Sequence, residues 1–176
     1  MNLKKVGLVA PVLALLASVP ALAQTATTNV SVTASIANTC TITNTAVALG
    51  VYDPVVTNAA TPLDGSGSVT ITCTRGAVTS ISLGLGTHAT GTQRRMSDGV
   101  PDFMNYELYQ PPSTTPATAC SYAGPTVWGT AGANLFVPAA APSTAARSYN
   151  ICGRIAGGQD LPSGSYTDLV VATVNF

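Results

Sequence analysis

The chain has 176 residues, with seven Lys and Arg against seven Asp and Glu and a formal net charge of zero. Charged residues make up 8% of it, against about 25% in ordinary domains, and nothing forms the basic stripe that a nucleic-acid binder carries. Low charge with abundant Thr, Ala, Ser and Gly fits a surface that ends up against other subunits, and equally a plain secreted protein.

The chain opens MNLKKVGLVAPVLALLASVPALAQ. Lys4 and Lys5 give a basic start, Val6 to Val19 an apolar run, and Ala21-Leu22-Ala23 an A-x-A cleavage site. This is the pattern of a secretory signal peptide over residues 1–23. The run is too short to span a bilayer, and Pro11 and Pro20 interrupt it. Cleavage leaves Gln24 to Phe176, about 150 residues, enough for one domain that buries roughly two-thirds of its surface. Losing Lys4 and Lys5 leaves five basic and seven acidic residues, a net of −2, and no lysine. No other stretch is apolar enough to cross a membrane, so the expected product is exported and released, with no membrane insertion.

Thr25 to Ile36 reads TATTNVSVTASI. Ala26, Thr28, Val30, Val32, Ala34 and Ile36 share one parity, and Thr27, Asn29, Ser31, Thr33 and Ser35 the other. In an extended chain this gives one apolar and one polar edge. About ten residues at roughly 3.3 Å each reach some 30 Å, the length of a small β-sandwich. Two readings fit: an ordinary first strand, or a strand made to pair with another molecule. Asn29-Val30-Ser31 matches the N-glycosylation pattern, but a glycan there would burden a strand built to pair.

The mature chain then alternates strand-like and turn-like segments. Cys40-Thr41-Ile42 continues the even parity, and Val47 to Val51 is a short apolar run. Asn58 to Gly67 reads as a turn-rich loop containing Pro62, Gly65 and Gly67. Ser68–Thr74 and Val78–Leu85 alternate, the second with Ile81, Leu83 and Leu85 inward. Thr92–Met96 is a short strand and Ser97–Pro101 a turn. Phe103–Gln110 carries aromatics on both faces, which fits a covered sheet. Leu135–Val137, Arg147–Ile155 and Ser165–Phe176 complete the set, the last with Tyr166, Val170, Ala172, Val174 and Phe176 on one parity. After the signal, no segment of ten or more residues has helical periodicity. Short strands between Gly/Pro turns predict an all-β sandwich.

Cys40, Cys73, Cys120 and Cys152 form an even set behind a signal peptide, which implies two disulfides and three possible connectivities. No C-x-x-C occurs, so zinc-ribbon and redox readings lack their residues. Catalytic constellations are also missing. His88 is the only histidine and sits in a predicted turn, Glu107 is the only glutamate, and Asp98 and Asp102 flank a turn where capping is the commoner role. There is no G-x-S-x-G, H-E-x-x-H or P-loop. An enzyme is not expected, nor is a cofactor or metal.

The sequence carries a family resemblance. Its pieces are Arg95-Met96, Asn105-Tyr106-Glu107-Leu108-Tyr109, Trp128-Gly129, Cys152-Gly153-Arg154-Ile155, Gly158-Gln159, Pro162, Gly164, Tyr166-Thr167-Asp168 and Thr173-Val174-Asn175-Phe176. In this order they resemble the spore coat protein U domain, as found in archaic chaperone–usher pilus subunits. Cys152 and the double Arg94-Arg95 depart from the family pattern.

The resemblance implies an immunoglobulin-like β-sandwich lacking its final strand and completed by donor-strand complementation. Residues 24–37 would be the donor strand, with Thr28, Val30, Val32, Ala34 and Ile36 entering a neighbour's groove, and residues 38–176 the pilin domain. Tyr166, Val170, Ala172, Val174 and Phe176 would form the acceptor edge. The implied partners are a periplasmic pilus chaperone, an outer-membrane usher, and identical or related pilin subunits. The chaperone would anchor the Phe176 carboxylate. The expected function is a structural pilin in a cell-surface fimbrium, serving attachment and biofilm formation. Alternatives are a spore- or cyst-coat protein of the same family, a tip adhesin, or a secreted carbohydrate-binding sandwich using Trp128 or Tyr122. Within this reading Cys40 pairs with Cys73 and Cys120 with Cys152. Cys40 begins the strand after the donor stretch, Cys73 ends a strong strand, and both have inward parity beside apolar neighbours.

Overall fold

The structure, a computed structural model, describes residues 23–99 and 101–176. All but Ala23 of the expected signal peptide therefore lies outside the described residues, as does Val100 of the expected 97–101 turn. The chain divides into two units, one ending at Ser35 and one running from Ile36 to Phe176. In the first, residues 23–35 carry no regular secondary structure and all are exposed.

The second unit is an all-β sandwich. Its strands are β1 (Cys40–Ala48), β2 (Leu63–Cys73), β3 (Ser80–Leu83), β4 (Arg94–Ser97), β5 (Phe103–Tyr109), β6 (Arg147–Ile155) and β7 (Ala172–Asn175). One sheet has the order β1-β2-β6-β5-β4, the other pairs β3 with β7, and every pairing is antiparallel. Period-two alternation explains the core. Val69 and Ile71 of β2 and Tyr149 and Ile151 of β6 point inward, and so do Ile81 and Leu83 of β3. Trp128 is fully buried between the layers, donates from Nε1 to the Ile81 carbonyl (2.9 Å), and lies 4.9 Å from the Phe136 ring. This leaves no indole face for a sugar.

The disulfides are Cys40–Cys73 and Cys120–Cys152, as expected. The first joins residues directly opposite each other on β1 and β2. The second ties the loop before Trp128 to β6. Each closes a loop of 33 or 32 residues, which restricts the unfolded chain by roughly 3–4 kcal/mol on the loop-entropy account.

Several elements differ from the sequence expectation. Gly65 and Gly67 lie inside β2, not in a loop. A Cβ on Gly65 would sit 2.4 Å from the Ala48 carbonyl oxygen, and one on Gly67 2.6 Å from that of Thr45. The glycines therefore mark close backbone approach within a strand. Above them β1 bulges between Thr45 and Ala48. The bulge switches the inward parity from Ile42 to Val47 and Leu49, which seat over Gly153. The expected strand Leu135–Val137 reduces to a bridge between Phe136 and Ile81. Leu85 is 39% exposed, because it lies beyond the last bond to the neighbouring segment, Gly84 to Val171, and just before the positive-φ turn at Gly86. The strand expected over Ser165–Phe176 is regular only at Ala172–Asn175. Thr167 bridges to Ser97 in the large sheet, while Val171 accepts from Gly84 beside β3, so the segment crosses between sheets.

Candidate binding groove

Among the described residues, the outer edges of β1 and β7 have no backbone partner. β1 pairs only with β2, and β7 only with β3. Between them runs a groove of about 450 Å³. Its walls are Ile42–Val47 with Leu49 on one side and Tyr166–Val170 with Ala172 on the other, and Leu83, Met96, Tyr106, Leu108 and Ile151 lie beneath. An open edge beside an apolar floor offers backbone donors and acceptors along its rim and a place for every second side chain.

The wall formed by Tyr166–Val170 and Ala172 alternates as a strand does. Tyr166, Val170, Ala172 and Val174 are partly buried, whereas Thr167, Leu169 and Val171 are exposed. Tyr166, Val170 and Ala172 line the groove, Val174 packs on the core, and Phe176 is exposed outside the lining. Of the sequence-derived donor set, Thr28, Val30, Val32 and Ala34 belong to the first unit and are exposed, Val30 by 81% and Val32 by 89%. Ile36, the first residue of the second unit, is 87% exposed.

Asp168 anchors this wall. Its side chain is almost wholly buried and accepts from the backbone N–H groups of Thr87 (2.8 Å), His88 (3.3 Å) and Leu169 (2.9 Å) and from the Tyr106 hydroxyl (2.7 Å). His88 Nδ1 lies 3.2 Å away. These bonds replace the ladder that the segment lacks between Thr167 and Ala172, and they hold the wall to the loop after β3. Gly86 is required there, because a Cβ would lie 1.9 Å from Asp168 Oδ2. Burial, and then the bond to Asp168, push the Tyr106 phenol far above its ordinary range.

Arg94 is fully buried beneath the groove floor. It pairs with Glu107 and donates to the carbonyls of Leu83 (3.1 Å), Gly84 (2.7 Å) and Trp128 (2.6 Å). One guanidinium thus joins β4, β5, the end of β3 and the Trp128 segment. The remaining candidates are structural. Tyr122 donates to the carbonyls of Gly65 (2.8 Å) and Gly153 (3.2 Å) under the Arg154 guanidinium. Arg154 makes a two-pronged pair with Asp64 directly opposite (2.6 and 2.8 Å). Among the described residues no His/Cys/Asp/Glu group could hold a metal, and no helix is long and apolar enough to cross a membrane.

Tyr166, Val170 and Ala172, of one parity in the sequence, line the groove; Asp168 entered the sequence reading only as part of the family pattern, with no role assigned. Its signal was visible, since Asp168 shares their inward parity and a charge at such a position must be bonded. Arg94 gave no comparable signal, because its carbonyl partners come from distant segments.

The Spore Coat Protein U domain matches residues 25–173. "Protein U" of Myxococcus xanthus is 34% identical over 175 residues, spanning 92% of this chain and 91% of that protein. Among solved structures, a chain of the CsuC–CsuE chaperone–tip adhesion subunit pre-assembly complex, from the archaic chaperone–usher Csu pili of Acinetobacter baumannii, superposes with a TM-score of 0.50. The match has 19% identity and covers 80% of this chain and 40% of that one, so the likeness is one of fold. The family is structural and non-enzymatic. From the domain match and the identity to Protein U together, the chain belongs to the Spore Coat Protein U domain family.

Proposed function

We propose that the protein is an exported structural subunit that polymerises by strand donation: residues Thr25–Ile36 of one copy fill the groove of the next. The observation that carries this reading is the pair of unpartnered edges, β1 and β7, on either side of an apolar floor. The donor is a second copy because the same chain supplies an exposed stretch with the apolar–polar alternation that such a groove takes. Burying Val30, Val32 and Ile36 contributes roughly 1.5–3 kcal/mol each, about 5–9 together. Backbone pairing adds about 0.5–1.5 kcal/mol per bond. A whole domain is stable by only about 5–15 kcal/mol, so a filled groove rivals everything else that holds the acceptor.

The fold shared with a chain of the Csu chaperone–subunit complex supports a fimbrial subunit handled by a periplasmic chaperone and passed through an outer-membrane usher, for attachment and biofilm formation. The domain family and the Protein U relative favour a second reading, the same strand exchange building a spore coat. Two disulfides require an oxidising compartment in either case.

Val32→Asp tests the shared core of both readings. A carboxylate in an apolar groove is costly without a partner, so heat-labile ladders on gels should disappear while the acceptor groove stays competent. Wild-type ladders from Val32→Asp would end the strand-donation reading. Microscopy of cells and spores with and without the gene separates fibre from coat.

A further inference from the structure

We infer that the Cys40–Cys73 bridge and the Thr74 hydroxyl form a clamp that keeps the chain's own N-terminal stretch out of its own groove, leaving the groove to another copy. This rests on the strand-donation reading above. That reading contains a conflict. Only Ala37-Asn38-Thr39 separates the donor stretch from β1, and β1 is itself a wall of the groove. Hairpin loops of about two to five residues are common, so three residues would let the stretch fold back along the free edge of its own β1. Tethered strands act at effective concentrations of order millimolar, and self-filling would outcompete any second copy.

The three connecting residues are held against such a reversal. Thr39 N–H donates to Thr74 Oγ1 (3.1 Å), and Thr74 N–H donates to the Thr39 carbonyl (2.9 Å). The Thr74 hydroxyl is shared between the carbonyls of Ala37 (3.3 Å) and Thr39 (3.4 Å). Backbone pairing therefore extends one residue past the bridge, to Thr39 and Thr74, and the Thr74 hydroxyl reaches on to the Ala37 carbonyl. None of the three is a glycine or has positive φ, the feature that two-residue hairpin turns need. The bridge closes the other escape. With Cys40 locked opposite Cys73, the start of β1 cannot peel off β2 to lengthen the connection.

The test is binding of a labelled synthetic peptide of residues 25–36 to the mature chain refolded at high dilution. The parent should bind it. The triple variant Cys40→Ser/Cys73→Ser/Thr74→Val should bind at least about tenfold more weakly, because its own tethered stretch competes. Adding Val32→Asp to the triple variant should restore binding by disabling that competitor. Parental binding by the triple variant would overturn the clamp. No binding by the parent would instead sink the groove reading itself. If the triple variant does not fold, Thr74→Val alone, with the bridge intact, decides. It should weaken peptide binding about fivefold, the equivalent of one net hydrogen bond, with recovery on adding Val32→Asp, and unchanged binding would overturn the proposal.

Discussion

β2 and β1 carry similar alternating patterns but differ in fate. In β2, Val69 and Ile71 are fully buried. In β1, directly opposite, Ile42 is only partly buried and Asn44 faces the groove. β7 behaves like β1, with no buried residue along its length. The difference lies in the neighbours. β2 is flanked by β1 and β6, whereas β1 and β7 each leave one edge uncovered among the described residues; β3, with β7 on one side, is covered on the other by the Phe136 bridge, and its Ile81 and Leu83 are buried. Alternation sets which side chains face inward, and flanking strands set whether facing inward means leaving water. The half-buried apolar groups of β1 and β7 are therefore stabilisation not yet realised.

Substitutions in the closed region should show the largest losses. Trp128→Ala removes a filled core position and the bond to Ile81, and should cost about 3–5 kcal/mol in urea unfolding. Arg94→Ala strands Glu107 and three carbonyls, and should also cost about 3–5 kcal/mol. A loss below about 1 kcal/mol at either site would mean that the closed region is less tightly determined than its burial indicates.

At the junction of the two regions, Gly65→Ala forces a Cβ against the Ala48 backbone and should destabilise by about 1–3 kcal/mol. It should also weaken binding of the 25–36 peptide by displacing the bulged wall. Unchanged peptide affinity would show that the bulge does not shape the groove.

Alkali probes the floor of the groove. The Tyr106 folded-state pKa is raised, by burial first and the Asp168 bond second. Below the ordinary phenol pKa of about 10 its contribution is complete. Above that the unfolded chain ionises while the folded one keeps the proton, so stability falls by about 1.4 kcal/mol per pH unit for this group. Tyr106→Phe should flatten that slope in unfolding titrations above about pH 10; an unchanged slope would assign alkaline lability to other tyrosines.

The smallest effect sharpens the comparison most. Val170→Ala removes two half-exposed methyl groups and should cost under about 1 kcal/mol with the groove empty. With the peptide bound the same change should cost about 1.5 kcal/mol, because those methyls are then fully covered. Equal losses in the two states would place Val170 outside the contact.

Much of this was legible from residue order. Arg147–Ile155 is a strand with the bounds that alternation gives, and the parity of Tyr166, Val170 and Ala172 survives although regular pairing does not. Parity is a local property of the chain and outlasts changes of partner. The misses are non-local. Gly65 and Gly67 look like turn residues until β1 is laid across them, and the three carbonyls on Arg94 come from segments that only the fold brings together.

The placement of the arginines decides where a trypsin-like protease could cut. Among the described residues there is no lysine, and trypsin-like proteases can act only at arginine. Arg94 and Arg147 are buried, Arg95 donates to the His88 carbonyl and stacks on Phe103, and Arg154 is paired with Asp64. Arg75, exposed in the turn after β2, is the one accessible site among them. Neither disulfide spans it, since Cys40 and Cys73 both precede it and Cys120 and Cys152 both follow. A single nick at Arg75 would leave two pieces with no covalent link, joined chiefly by the nine-residue β2–β6 ladder and the core beneath it. Such a subunit would run as two fragments on a denaturing gel while remaining one folded body in solution.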